Sequence, residues 1–144
     1  MPLLPRKGVL AIAAVIDVAI QEQGHPVSAK TLAARHGLPP RHLEPVLQAL
    51  VRYGILRGIR GPRGGYELAR DRRRVTANDI LRAAGTVDEA DEVQVGSDLL
   101  TKIVLPAMAN AEQEFGIALS RISLEDLARD AQALGPAGRA NAQS

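Results

Sequence analysis

The chain has no cysteine and no tryptophan. Without a thiol there is no disulfide, no thiolate metal site and no cysteine nucleophile. Only three aromatic residues occur, Tyr53, Tyr66 and Phe115, so a core must be built from aliphatic side chains. Apolar content is 46%, almost all Leu, Ile, Val and Ala; Ala and Leu favour packed helices. The three histidines, His25, His36 and His42, are too widely spaced for a compact metal site, and no metal ligand set is read. No apolar run reaches the ~18 residues of a membrane span. Arg6-Lys7 before GVLAIAAVI imitates the opening of a signal peptide, but Asp17 follows closely and the apolar spacing continues through Ala19 and Ile20 as a helix face. The expectation is the first core helix of a cytoplasmic protein. There is no phosphate-binding loop, no dinucleotide fingerprint, and no His in recognisable order with Ser or carboxylate, which argues against an enzyme. No repeat is visible.

What is present is unevenly distributed. Residues 1–74 hold thirteen Arg and Lys against five Asp and Glu, a net of +8. The remainder holds five against eleven, a net of −6. A basic half joined to an acidic half suggests a nucleic-acid reader joined to something else. The basic charge is densest in LRGIRGPRGGYELAR, 56–70, where Arg57, Arg60, Arg63 and Arg70 surround Gly61, Pro62, Gly64 and Gly65. Glycine-rich turns between short β-prone runs read as a hairpin, with strands expected near 55–60 and 66–70. Four arginines on such a hairpin suit a polyanion.

Before the hairpin the pattern is helical. Ile12, Val15, Ile16, Ala19 and Ile20 recur at helical spacing over 6–22. Ser28 stands as an N-cap before KTLAARHG, with Gly37 as the stop. Pro40 opens a third helix, about 40–53, whose apolar stripe is Leu43, Val46, Leu47, Leu50 and Val51. Pro45 lies beyond the first turn and suggests a start nearer Leu43. Short helix, tight link and second helix form the helix-turn-helix pattern. After the hairpin, Thr76 and Asp79 form a capping box for a helix over 77–84. Residues 85–97 have no period and carry Asp88, Glu89, Asp91 and Glu92. A long helical pattern then runs from about 98 to 121. Leu100, Val104, Ala107, Ala111, Phe115, Ala118 and Ile122 step by four and three, a seam of coiled-coil type. Pro106 should kink it or mark the start of its main segment. Ser123 with Asp126 caps a closing helix, about 124–133.

Helix-turn-helix, basic hairpin and seam helix in that order describe a mainly α protein: a winged helix-turn-helix domain with a two-stranded β wing and a long C-terminal dimerisation helix. The expected division is the DNA-binding domain over 1–85, an acidic loop over 86–97, dimerisation and closing helices over 98–134, and a disordered tail over 135–144. A recognition helix fits the major groove, and a wing arginine fits a narrow A/T-rich minor groove. A dimer would address a palindromic operator.

Several stretches also resemble the Rrf-two (IscR-like) family of bacterial transcription regulators. They are Lys7-Gly8, IDVA at 16–19, LEPVLQAL at 43–50, RGPRGGYELAR at 60–70 and ISLEDL at 122–127. The resemblance implies DNA binding and transcription control. It makes Arg60 the wing arginine that enters the minor groove, and Arg41 and Glu44 the positions nearest the bases. Arg63 stands where related wings often have glycine and adds a phosphate contact. Cluster-binding members carry three cysteines before the dimer helix; residues 85–97 contain neither Cys nor His, so no family-type iron–sulfur cluster and no other cofactor is expected.

The DNA-contacting set is then Ser28, Arg41, His42, Glu44, Gln48, Arg57, Arg60 and Arg63. Each has a plainer role open to it. Arg57 and Arg70 can serve only to solvate the hairpin, and Arg72–Arg74 to attract phosphate generally. Glu44 can accept from cytosine N4, orient an arginine, or favour a helix N-terminus. His42 can touch phosphate or simply be solvated. Tyr66 is expected to pack as the wing's anchor. The acidic residues 88–92 fit a solvated loop better than a hard-cation site. The function expected is a homodimeric, sequence-specific regulator, a repressor answering to a small-molecule or protein effector. The alternative is a winged-helix interaction module whose acidic half docks a partner protein.

Overall fold

The computed structural model describes Leu4 and residues 6–21, 25–85 and 97–139, with backbone alone for 136–139. Asp88, Glu89, Asp91 and Glu92 lie outside the described residues. Alanine makes the first helix, α1 (Arg6–Ala19), thin enough to sit centrally: Ala11, Ala14, Val15 and Val18 are buried, and its neighbours are α3, α4, α6 and the second wing strand. Ser28 caps α2 (Ala29–Arg35), its Oγ accepting the Thr31 amide at 3.1 Å. Gly37 leaves it at φ 66°, a conformation glycine adopts without strain. The helix α3 (Pro40–Arg52) begins at Pro40 and runs through Pro45. The start nearer Leu43 is therefore corrected. Pro45 lies on the exposed side, where the carbonyl it leaves unpaired can be hydrated.

The strands β1 (Leu56–Ile59) and β2 (Gly65–Leu68) pair antiparallel, with Leu56 opposite Leu68, Arg57 opposite Glu67, Gly58 opposite Tyr66 and Ile59 opposite Gly65. Leu56 enters the core with Ile55. A short 3-10 turn (Arg72–Arg74) follows, then α4 (Ala77–Ala83), which carries the expected reciprocal capping box of Thr76 and Asp79. One core runs through Leu32, Leu43, Leu47, Leu50, Ile55, Val75, Ile80 and Leu124.

The C-terminal region opens with a wide π-helical segment (Leu99–Val104), and Pro106 sits in the first turn of α5 (Leu105–Ser120). The Leu105 amide still bonds back to the Leu100 carbonyl in the wider π pattern, so the proline, which has no amide to donate, falls at the change of helix type. The helix α5 meets the body near its end, where Leu119 packs with Ala77 and Leu81. Ser123 accepts the Asp126 amide at 3.0 Å and starts α6 (Leu124–Arg139). Helical geometry resumes beyond Gly135 (φ 81°) as far as Arg139. Before α6 departs, the chain is stitched to the winged domain: the Ala77 amide donates to the Ile122 carbonyl at 2.9 Å and the Leu124 amide to Val75 at 2.8 Å. Among the described residues no helix is long and apolar enough to cross a membrane, and no group of His, Asp or Glu is placed to hold a metal ion.

Candidate nucleic-acid interface

An amphipathic helix held on one side leaves its other side for a partner. Leu43, Val46, Leu47 and Leu50 anchor α3. That anchoring turns Arg41, His42, Glu44 and Gln48 outward, all exposed. Gln48 reaches the wing, its amide nitrogen lying 3.5 Å from the Tyr66 hydroxyl. Tyr66 is half-buried and packs on the core.

The wing is braced more firmly than a free hairpin. Val27, from the link before α2, pairs with Tyr66 as an additional strand position: its amide donates to the Tyr66 carbonyl at 2.9 Å, and the Tyr66 amide returns a bond at 2.8 Å. This close approach explains Gly65, and the tight hairpin tip explains Gly64. A Cβ on Gly65 (φ 152°) would stand 2.5 Å from the Val27 carbonyl, and one on Gly64 would stand 2.0 Å from the Ile59 oxygen. Gly61 (φ 108°) faces open space and supplies only the turn. A lone bridging residue such as Val27 has no periodic signal, so its pairing was not legible.

The structure sorts the arginines. Arg57 donates to Glu67 across the hairpin at 2.9 Å and to the Leu68 carbonyl. Arg70 closes on the carbonyls of Tyr53 and Gly54 at 3.3 and 3.2 Å. Arg72 pairs with Glu125 of α6 at 2.7 Å and reaches the Ala19 carbonyl at the end of α1. Arg73 pairs with Asp71, whose carboxyl is held well below the usual carboxylate range chiefly by that hydrogen bond. Arg60 and Arg63, at the tip, are exposed and make no hydrogen bond or ion pair among the described residues. Of the four hairpin arginines, two are engaged by the fold and two are available to a partner. Ser28 spends its hydroxyl on the α2 cap and on Thr31 Oγ1 at 3.0 Å.

One polar group near this face escaped sequence reasoning. Asp17 of α1 is 6% exposed, takes a 2.8 Å bond from His36 Nε2 at the end of α2 and faces Arg35 at 3.6 Å. It ties the helix-turn-helix to the central helix. The available signal was an acid inside the apolar run VIDVAI.

A winged helix-turn-helix whose wing pairs back to the chain before α2, followed by a long helix and a returning one, can be compared with known proteins. The Rrf2 family, described as iron-dependent transcriptional regulators, matches residues 4–130. This chain belongs to the Rrf2 family. It is 31% identical to the HTH-type transcriptional regulator IscR of Photorhabdus laumondii over 145 residues, covering 94% of this chain and 85% of that protein. The IscR structure from T. potens superposes with a TM-score of 0.70 at 28% identity, covering 93% of this chain and 91% of that one. CymR, the global cysteine regulator of B. subtilis, superposes with a TM-score of 0.67 at 28% identity, covering 90% and 98%. Rrf2 regulators bind DNA and control transcription; they are not enzymes. This Rrf2 chain lacks cysteine throughout and so has no ligands for an IscR-type cluster.

The seam residues of this Rrf2 protein lie on α5 and its flanks. Val104, Ala107, Ala111, Phe115, Ala118 and Ile122 are exposed, and Leu100 is half-buried. The seam pattern missed further apolar residues on the same region: Leu99, Ile103, Leu105, Met108 and Ile117 are exposed too, Ile103 at 61% and Met108 at 54%.

Proposed function

We propose that this Rrf2 protein is a homodimeric, sequence-specific repressor that reads a palindromic operator in the cytoplasm and takes its signal from a non-cluster effector, a small molecule or a protein. The observation that carries the reading is the pair Arg60 and Arg63. They are uncommitted at the tip of a wing braced by Val27, next to the outward side chains of α3. In this reading Arg41, Glu44 and Gln48 address base edges in the major groove, His42 and Arg63 grip phosphate, and Arg60 enters the minor groove. Arg57 and Ser28 act indirectly, by stiffening the wing and α2. The exposed apolar residues from Leu99 to Ile122 support a second copy as the partner of α5, because a lone soluble chain rarely leaves so continuous an apolar face in water.

A titration against the protein's own promoter region at several salt concentrations tests this. A dimer neutralising ~6–10 phosphates loses about 10³–10⁵ in affinity between roughly 50 and 200 mM salt. Absence of binding to every genomic fragment, or a flat salt profile, sinks the proposal. Arg60→Ala should weaken operator binding more than non-specific binding; equal losses would reduce Arg60 to a phosphate contact.

A further inference from the structure

Between the wing tip and α2 lies an open cleft to which neither α3 nor Arg60 contributes. Its volume is about 430 Å³. His25, Ser28, Thr31 and Arg35 line one side, and Pro62, Arg63 and Gly64 the other. Among the described residues no Asp or Glu lines it. The polar groups are donors in excess. Ser28 Oγ accepts the Thr31 amide and donates its own hydrogen to Thr31 Oγ1, which leaves the exposed Thr31 hydroxyl hydrogen unspent. Arg35 is steadied by the buried Asp17 at 3.6 Å, so its guanidinium is held in place rather than swinging free. Arg63 has no partner among the described residues. Val27 also lines the cleft and pairs with Tyr66, whose hydroxyl meets Gln48 of α3. Val27 and Tyr66 thus link the cleft to α3.

We propose that this cleft seats one backbone phosphodiester of the bound duplex, immediately outside the base pairs addressed by α3 and Arg60. The inference rests on the DNA-reading function proposed above and names a contact within it. An open site whose described lining carries Arg35 and Arg63 suits a phosphate that arrives attached to sugars on both sides better than it suits an apolar ligand, which needs an enclosed pocket. The contact carries no base information and sets the register of the protein on the duplex.

Thr31→Glu places a carboxylate in the cleft. Position 31 is the third residue of a Ser-capped helix, where Glu completes a capping box, so the variant keeps the fold. Lys30→Gln is the matched control: it changes the charge by the same unit on the neighbouring residue, outside the cleft lining. Binding of wild type and both variants is measured on operator and unrelated duplexes across a salt series. The expected result is that Thr31→Glu weakens both duplexes by a similar factor, about tenfold, and lowers the salt slope by about 1, with Lys30→Gln changing affinity about twofold or less. Equal losses in the two variants would leave only general charge attraction and overturn the cleft. A second arm titrates inorganic phosphate into the DNA-free protein while following the Ser28 and Thr31 amides by NMR. Saturable binding below about 1 mM, combined with unchanged duplex affinity in Thr31→Glu, would assign the cleft to a free anion and overturn the proposal. Wild-type protein that binds no duplex removes the DNA-reading function itself. Wild-type binding with a silent Thr31→Glu removes the cleft alone.

Discussion

The wing and α5 are opposites in what they leave unsatisfied. The wing settles most of its apolar and backbone needs internally: Ile55 and Leu56 are buried, Tyr66 packs on the core, Val27 pairs with β2 at Tyr66, and Ile59 is the exposed exception. What remains over is charge, at Arg60 and Arg63. The helix α5 settles little internally. Leu119 is its one buried residue, and what remains over is apolar surface from Leu99 to Ile122. A region's surplus tells the chemistry of its partner: leftover cations ask for a polyanion, and leftover hydrocarbon asks for another protein surface.

The contrast can be broken most forcefully at α5. The pair Ile103→Glu with Phe115→Glu should weaken self-association at least about 100-fold, because carboxylates cannot be left unpaired in an apolar interface. Sedimentation equilibrium would show a dimer mass falling to that of one chain, while binding to non-specific DNA keeps its salt dependence per chain. An unchanged mass would mean that α5 is not the dimer contact.

On the wing the sharpest change is Gly65→Ala. Its Cβ would collide with Val27 at 2.5 Å and hold φ at 152°, so about 3 kcal/mol of stability should be lost. Gly58→Ala, on the facing strand with open space around it, should cost far less, about 1 kcal/mol at most. Chemical denaturation of the two side by side would test the brace; equal losses would deny that Val27 presses on the wing.

A smaller effect is expected at Arg57. Its ion pair with Glu67 is largely exposed, so Arg57→Ala should cost roughly 0.5 kcal/mol, with a much smaller loss of DNA affinity than Arg63→Ala. A loss equal to that of Arg63→Ala in a binding titration would return Arg57 to direct DNA contact.

The smallest effect is a matter of pH. The Asp71 carboxyl is depressed by Arg73. A depressed carboxylate contributes stability that is present above its unfolded pKa, near 3.9, and lost as pH falls through the lower folded value. The stability gap between wild type and Asp71→Asn should therefore be constant from about pH 5 to 8 and close only below about pH 4. A gap that changes near neutrality would mean that another group carries it.

These regions were not equally legible. The helix-turn-helix and hairpin were readable because their signals are local: Ser28 before α2, Gly37 after it, glycines at the wing tip, Thr76 with Asp79 before α4. The apolar stripe of α3 was readable from its period, and Pro45 misled because an exposed position tolerates the lost hydrogen bond. Sorting the arginines was not readable, since partners such as Glu125 for Arg72 lie 53 positions away. The brace at Val27 and the buried Asp17–His36 pair were hidden for the same reason. On α5 and the π-helical segment before it, the seam period found one stripe of the apolar face and missed Ile103 and Met108, because the exposed apolar arc is wider than a two-position repeat predicts.

The stitch between Val75–Ala77 and Ile122–Leu124 has an evolutionary consequence. Its two backbone hydrogen bonds join the start of α4 to the end of α5 directly, whatever the length of chain between α4 and α5. Loop-closure entropy grows only with the logarithm of length, about 0.6 kcal/mol for each doubling. The segment between α4 and α5 can therefore change sequence, ligands and size at small energetic expense while the stitch holds. A segment with cysteines and one without can be carried on the same winged frame, because the stitch holds whichever is present.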